Sequence, residues 1–287
     1  MPLVNPKGSR FGWYGLAIAL LMAGVLVTEQ VAQLARVRQQ QVEQLEAAVY
    51  LAQLRGRLDD ELNAVIFLVR SLAAFVSANP DSGADRWHNV SRQVLGETDL
   101  VRNIGLAPDN IIRFVYPLEG NEQALGLDYR RHAEQWPPVE RAMTTGRMTL
   151  QGPIELVQGG QGLLAQMPIS YSSGGQPRYW GVASIVIHFD RLLANAGVSV
   201  QQDGYELAIR TEGGPDAVSR LLLGDARVFE RPLAQVQIYM PDTHWVLAMR
   251  QTPVEQRSLL IIRVVGVLLS LLLAGSIVLW REFRQTN

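Results

Sequence analysis

Two apolar runs bracket this chain, and any fold it adopts has to accommodate them. Phe11 to Thr28 reads FGWYGLAIALLMAGVLVT without a charge, and Ser258 to Trp280 reads SLLIIRVVGVLLSLLLAGSIVLW with one, Arg263. A hydrocarbon core about 30 Å thick needs about 20 residues of helix, so each run is long enough to span it. The segment between them then lies on one side of a membrane and both tails on the other. The expected organisation is a tail over 1–10, a transmembrane helix over 11–28 and a stem helix over 29–79. Two folded parts follow, 80–197 and 198–257, then a second transmembrane helix over 258–280 and a tail over 281–287.

The basic residues beside the spans set the orientation. Lys7 and Arg10 precede the first span with no acid among them, and Arg281 and Arg284 follow the second against Glu282 alone. Positive flanks stay in the cytoplasm, so both tails are expected there and the central part is expected in the periplasm of a two-pass inner-membrane protein. Trp13, Tyr14 and Trp280 sit where aromatic rings favour the headgroup level. Arg36 and Arg38 oppose this orientation, but charges in a long translocated segment count for less. A cleaved signal peptide fits poorly, because the first run exceeds the usual 7–15-residue apolar region and no clean A-x-A site follows. Arg263 lies close enough to the outer end of its span for its stem to snorkel outward, and the rival reading makes it a charge that tunes helix register. The chain has no cysteine, which excludes a lipoprotein anchor, disulfides and thiolate metal sites. A net charge of −1 argues against a nucleic-acid partner.

From Glu29 to Ala78 the pattern predicts one long helix, or two joined at Gly56. Val42, Leu45 and Val49 step by three and four, and Leu58, Leu62, Val65, Val69, Leu72 and Val76 continue the alternation. This is the period of helices packing on helices. Two uses are open: packing on the chain's own domain, or a dimer stem. The stretch Val31 to Ala52 is the better dimer candidate. Asn79-Pro80-Asp81 stops the helix.

Beyond Pro80 a short helix is expected over Asp85 to Leu95, followed by strands at Val101–Leu106, Ile111–Tyr116, Met148–Leu150, Leu163–Ser170 and Trp180–Phe189. Pro137 to Thr145 reads as a helix that opens on proline and stops at Gly146. A second group of strands is expected at Tyr205–Arg210, Val228–Leu233, Val236–Met240 and Trp245–Arg250, with turns at Gly213-Gly214-Pro215 and Pro241-Asp242. A long helix followed by two sets of short strands implies an α+β fold with an antiparallel sheet used twice. No sequence repeat proves the duplication.

The catalytic inventory is poor. His88, His132, His188 and His244 are dispersed without metal-ligand spacing, and neither a nucleophile elbow nor a phosphate-binding loop occurs. Gly159-Gly160-Gln161-Gly162 precedes a strand, which suits a tight hairpin better than a phosphate cradle. Asp59-Asp60-Glu61 sits on the polar side of the stem. The expectation is no enzyme, no cofactor and no metal.

The stretch from Val115 to Phe189 carries ordered local motifs: Tyr116-Pro117 with Gly120-Asn121, Gly126-Leu127-Asp128, Arg141-Ala142 with Gly146, Leu150 with Gly152-Pro153, Gln158-Gly159-Gly160, Pro168, and Tyr179-Trp180-Gly181. These resemble the CHASE family of extracytoplasmic sensor domains of bacterial histidine kinases, cyclic-di-GMP enzymes and plant cytokinin receptors. The resemblance covers the central part well and Val198 to Thr252 only in outline. It implies a long stem helix followed by two PAS-like antiparallel-sheet subdomains, with a small ligand held in the membrane-distal one. Carried over, the family's ligand-anchoring acid falls on Asp128 and an apolar wall position on Leu150. Asp128 also reads, unaided, as an ordinary helix cap. Tyr116, Tyr129, Trp136, Gln158 and Met167 are further candidates for the same cavity, Trp136 being equally readable as plain core.

Family members usually continue past the second span into a kinase or cyclase, whereas Asn287 follows Trp280 closely here. The expectation is therefore a receptor that homodimerises through its stem and signals in trans to a cytoplasmic or membrane partner. Two alternatives stand beside it: the sensory portion of a longer histidine kinase or diguanylate cyclase, and a ligand-free membrane scaffold.

Overall fold

The computed structural model describes residues 8–96, 98–156, 159–202, 204–212, 219–241, 244–252 and 257–286. The chain divides into two compact units, one of residues 47–252 and one of residues 1–46 with 253–287. Helix α1 (Gly8–Ala78) contributes to both.

In the larger unit, α1 supplies a seam of Ala47, Leu51, Leu54, Leu58, Leu62, Val65, Val69, Leu72 and Val76, all buried. The spacing of three and four puts them on one face. Each fully buried leucine or valine contributes roughly 1.5–3 kcal/mol. A glycine in a helix interior costs about 1 kcal/mol, so the seam easily carries α1 through Gly56 as one helix. Val42, Leu45 and Val49 point elsewhere and are at least half exposed, at 54%, 66% and 50%. The two parts of the stem pattern therefore do different things. Packing of α1 into the core of the larger unit begins at Ala47.

After α2 (Ala84–Leu95) come β1 (Val101–Pro108), β2 (Phe114–Tyr116), α3 (Trp136–Thr145), β3 (Thr149–Glu155), β4 (Gln161–Ser173) and β5 (Gln176–His188). The strands form an antiparallel sheet ordered β2-β1-β5-β4-β3. Alternation sorts its side chains to two faces. Ile104, Leu106, Leu150, Leu163, Ala165, Ile185 and Ile187 join the seam of α1 in one hydrophobic core. Trp87 of α2 meets Phe114 and Trp180 edge-on in that core, with ring centroids 5.8 Å apart in both pairs.

Helix α4 (Phe189–Asn195) leads to β6 (Gln201–Gln202), β7 (Tyr205–Glu212), β8 (Leu221–Leu223), β9 (Ala234–Tyr239) and β10 (His244–Gln251). This second antiparallel sheet is ordered β6-β7-β10-β9, with β8 also paired to β7. Leu207, Ile209, Ile238, Trp245, Leu247 and Met249 add to the same core. The two sheets after a long helix match the α+β fold expected.

Local differences have local causes. Val228 to Leu233, expected as a strand, forms none: its start belongs to a 3₁₀ turn at Ala226–Phe229, capped by the Asp225 carboxylate accepting from the Arg227 backbone N–H, and the next strand begins at Ala234. Phe189 opens α4 instead of closing β5. Ile111 precedes β2 and pairs in an isolated bridge with Asp128. The turns at Gly213-Gly214-Pro215 and at Asp242 lie outside the described residues.

The smaller unit contains the first part of α1 and α5 (Arg257–Thr286). Among the described residues, α1 and α5 are the two helices long and apolar enough to cross a membrane. Small residues let them approach closely: a Cβ added at Gly24 would collide with Ser270, and one at Gly266 with Thr28. Leu26, Val27, Leu272, Leu273 and Leu279 remain exposed. Arg263, for which the sequence left open outward snorkelling or a role in helix register, is paired with Glu29 on the other helix.

Candidate functional site

The other face of the first sheet presents polar residues at inward positions. The register sets Gly105 opposite Ser184, Ser184 opposite Gln166, and Gln166 opposite Thr149, so one transverse row crosses β1, β5, β4 and β3. All three side chains are buried, Gln166 completely. The glycine is required, because a Cβ there would lie 2.6 Å from the Ser184 hydroxyl oxygen. The neighbouring row runs Asn103, Val186, Leu164 and Gln151.

A roof of irregular chain and α3 covers this face. Ile112 donates its N–H to Leu127 O at 2.9 Å and Gly126 returns one to Ile112 O at 2.8 Å. Tyr129 N–H reaches Asn110 O at 3.0 Å. Asn110 and Asp109 have positive φ of 64° and 52°, a conformation that Asn and Asp tolerate better than most residues. Helix α3 begins on Trp136-Pro137-Pro138 and ends at Gly146, which is left-handed at φ 68°. It buries Pro138, Val139 and Ala142. Arg102 ties the edge together, donating to Asn121 Oδ1 at 3.2 Å and to Gly159 O.

Between sheet and roof lies a cavity of about 20 Å³, enough for roughly one water. Its floor is Asn103, Gly105, Leu164, Ser184 and Val186. Its roof is Ile112, Ala124, Leu127, Tyr129, Gln135 and Leu156. The Tyr129 hydroxyl donates to Ser184 Oγ at 3.2 Å, and Ser184 passes a hydrogen bond to Gly105 O at 3.3 Å. Burial pushes the Tyr129 phenol above its ordinary range, while hydrogen bonding to Ser184 and proximity to Gln166 draw it back. Despite that proximity, neither amide atom of Gln166 makes a well-formed hydrogen bond, and the Thr149 hydroxyl is likewise without a partner. Buried polar atoms in this condition are uncommon and call for an explanation.

Of the residues singled out from the sequence, Tyr129 lines this cavity. Trp136 packs in the same layer, against the cluster of Ile112, Val139 and Tyr129, without lining it. Leu150 is on the opposite face of the sheet, within the core against α1. Tyr116 and Met167 pack on that same core, Tyr116 also meeting His88 edge-on at 4.7 Å. Gln158 lies outside the described residues.

Asp128 is occupied locally. Its carboxylate caps the 3₁₀ turn Tyr129–Arg131, accepting from Arg130 N–H at 3.2 Å and from Arg130 Nε at 2.9 Å. Arg131 Nε stands 3.8 Å away. The Arg130 guanidinium holds this carboxyl below the usual carboxylate range. Asp225 and Arg227 repeat the arrangement in the second sheet's subdomain, capping their own 3₁₀ turn. The Asp-x-Arg cap is thus a device used twice by the fold. At the first copy its effect is to fix Tyr129 over the cavity.

The residues that sequence reasoning missed are Asn103, Gln166 and Ser184. A signal was present for two of them, since Gln166 and Ser184 interrupt apolar runs in Leu164-Ala165-Gln166-Met167 and Val182-Ala183-Ser184-Ile185, whereas Asn103 follows Arg102 and does not stand out. Among the described residues, no group of three or more metal-ligating side chains is assembled.

Comparison with known proteins agrees with this architecture. A family model described as the CHASE domain matches residues 27–221. Among solved structures, the ligand-binding domain of the Pseudomonas aeruginosa PAO1 amino-acid chemoreceptor PctC, in complex with GABA, superposes with a TM-score of 0.53 at 16% identity, covering 70% of this chain and 96% of that one. The extracellular domain of the putative histidine kinase soHK1S-Z6 gives 0.51 at 14% identity, covering 80% and 99%. An extracellular ligand-binding receptor from Desulfohalobium retbaense DSM5692 gives 0.51 at 17% identity over 70% of this chain. This chain spans 40% of the length of that receptor. At these identities the likeness establishes a shared fold. No curated protein matches the sequence.

Proposed function

Because this chain belongs to the CHASE domain family, we propose that it is a two-pass membrane receptor whose central domain lies outside the cytoplasm and binds a small molecule. The observation that carries the reading is the polar row Gly105, Ser184, Gln166 and Thr149, buried under a roof that includes Tyr129. A fold without a ligand would gain stability by filling those positions with apolar side chains. Similarly folded domains with solved structures include one bound to GABA and one from a putative histidine kinase, which supports a sensing role for this fold.

The protein acts by binding, not by catalysis, and its output passes to a separate partner in the membrane or cytoplasm. Ligand entry needs the cavity to widen, because small-molecule sites usually occupy about 300–1,000 Å³. The roof from Ile112 to Gln135 is largely irregular chain and is the part able to move. Binding then favours whichever arrangement has the wider cavity, by the difference in affinity between the two. Dimerisation through Val42, Leu45 and Val49, which are exposed, gives a second copy of α1 through which such a shift is read.

The test is thermal unfolding of the full chain in lipid nanodiscs against a broad metabolite library, with Ala124→Leu as the blocked control. Ala124 is buried in the roof, so the larger side chain fills the space. Compounds that stabilise the parent and not the control support the receptor reading; a library without any such compound overturns it. Alkaline phosphatase inserted at Gly174, in the exposed β4–β5 turn, should be active, and fused after Asn287 it should be silent; the reverse overturns the orientation.

A further inference from the structure

We propose that the ligand is a small uncharged molecule presenting a hydrogen-bond donor and an acceptor side by side, as an amide, lactam or urea does, and that Gln166 with Ser184 reads that edge. The inference rests on the receptor reading above and narrows it to a ligand class.

Three observations converge on it. Gln166 is fully buried on the same face of the sheet as the cavity, next to the lining residue Ser184 and just outside the present lining, and its amide oxygen and nitrogen both lack a well-formed hydrogen bond. A carboxamide offers one acceptor and two donors on a planar group, so its natural complement is another group with the same pairing reversed. Ser184, directly opposite Gln166 in the register, lines the cavity floor beneath the Tyr129 hydroxyl. Ser184 and Tyr129 add a hydroxyl pair that can donate or accept by rotation.

The third observation is the charge of the site. Among the described lining residues none carries a carboxylate, ammonium or guanidinium; the polar ones are Asn103, Ser184, Gln135 and Tyr129. The nearest sequence candidate for an anchor, Asp128, spends its carboxylate on its own turn and on Arg130. Arg141 of α3 is half-buried and does not line the cavity. Burying the ammonium or carboxylate of a free amino acid without an opposite charge is far more costly than burying a neutral amide that is hydrogen-bonded. The site therefore suits a neutral ligand and discriminates against zwitterions.

The experiment uses matched pairs of probes on the full chain in nanodiscs: nicotinamide and nicotinate, 2-pyrrolidone and L-proline, propionamide and propionate. The expected result is a rise in melting temperature with the uncharged member of a pair and none with its charged counterpart. Gln166→Met should weaken that response at least about tenfold, as loss of a paired polar contact does, and Ser184→Ala should weaken it less. Ser184→Ala also keeps the test open should Gln166→Met fail to fold. Stabilisation by charged members, retained in Gln166→Met, overturns the inference and leaves the receptor reading standing. A broad library whose cavity-dependent hits include no neutral amide-like compound does the same. The absence of any cavity-dependent hit overturns the receptor reading, and this inference with it.

Discussion

Arg263 of α5 and Glu29 of α1 form a forked ion pair, with Nε to Oε2 at 3.1 Å and Nη2 to Oε1 at 2.7 Å. Two-point guanidinium–carboxylate pairing fixes orientation as well as distance. Close by in sequence, Gly266 and Thr28 meet, and Gly24 meets Ser270 a turn further along. The pair and the small-residue contacts together specify how α1 and α5 register. An exposed ion pair in water contributes only about 0–1 kcal/mol, but an unpaired arginine inside the bilayer costs about 2.5–3.5 kcal/mol at mid-depth. Pairing therefore matters more the deeper the helices sit.

The native chain has no cysteine, so introduced pairs report without background. Gly24→Cys with Ser270→Cys should cross-link within one chain on mild oxidation of membranes, running as a fast-migrating monomer. Glu29→Gln should slow that reaction. A cross-linked dimer instead would assign the contact to two neighbouring chains.

Gln166→Met should raise stability even as it weakens the ligand response. An unsatisfied buried polar group costs about 1–3 kcal/mol, and methionine has nearly the same shape. Chemical denaturation followed by tryptophan fluorescence should show a higher midpoint with an unchanged slope. A lower midpoint would mean that the amide already has a partner in the folded protein.

Gly105→Ala should destabilise the protein by about 1–3 kcal/mol through overpacking, because its Cβ would sit 2.6 Å from Ser184 Oγ. Combining it with Ser184→Gly removes the colliding group, so the double variant should recover part of the loss. Strictly additive losses would place the strain elsewhere.

Acid should weaken the two Asp-x-Arg caps. Hydrogen bonds from Arg227 hold the Asp225 carboxyl at about 2, and Arg130 holds Asp128 low as well. A depressed folded-state pKa means the unfolded chain takes up the proton first as pH falls. Their stabilisation is therefore complete above about pH 4, the ordinary carboxylate range, and is lost on approach to pH 2. The melting temperature should fall over that window, and fall less steeply in the Asp128→Asn, Asp225→Asn double variant. Parallel curves would remove the caps as the cause.

Charge on the two parts of the stem should have opposite consequences. Leu58 is fully buried, and Leu58→Asp should abolish cooperative unfolding. Leu45 is 66% exposed, and Leu45→Asp should leave the fold intact while converting a dimer to a monomer in sedimentation. A dimer that persists would assign the exposed stripe to lipid-facing or solvent-facing surface.

The sequence by itself determined the two membrane-length helices, the long stem and the double use of an antiparallel sheet. All of these are one-dimensional patterns: unbroken apolar length, a step of three and four, and alternation between turns. It also left the stem two uses, packing on its own domain and a dimer seam, because Val42 to Val49 and Leu58 to Val76 share one step of three and four. The site was barely legible, because a cavity is made by register. Gly105, Ser184, Gln166 and Thr149 are scattered along the chain and become one row only when four strands pair. Tyr129 was visible as an aromatic after an acid, but its place over Ser184 depends on the bridge between Ile111 and Asp128. Leu150 shows the same limit from the other side. Its apolar character was plain in the sequence, and the pleat alone decided that it faces α1 and not the cavity, since neighbouring residues of a strand point to opposite faces.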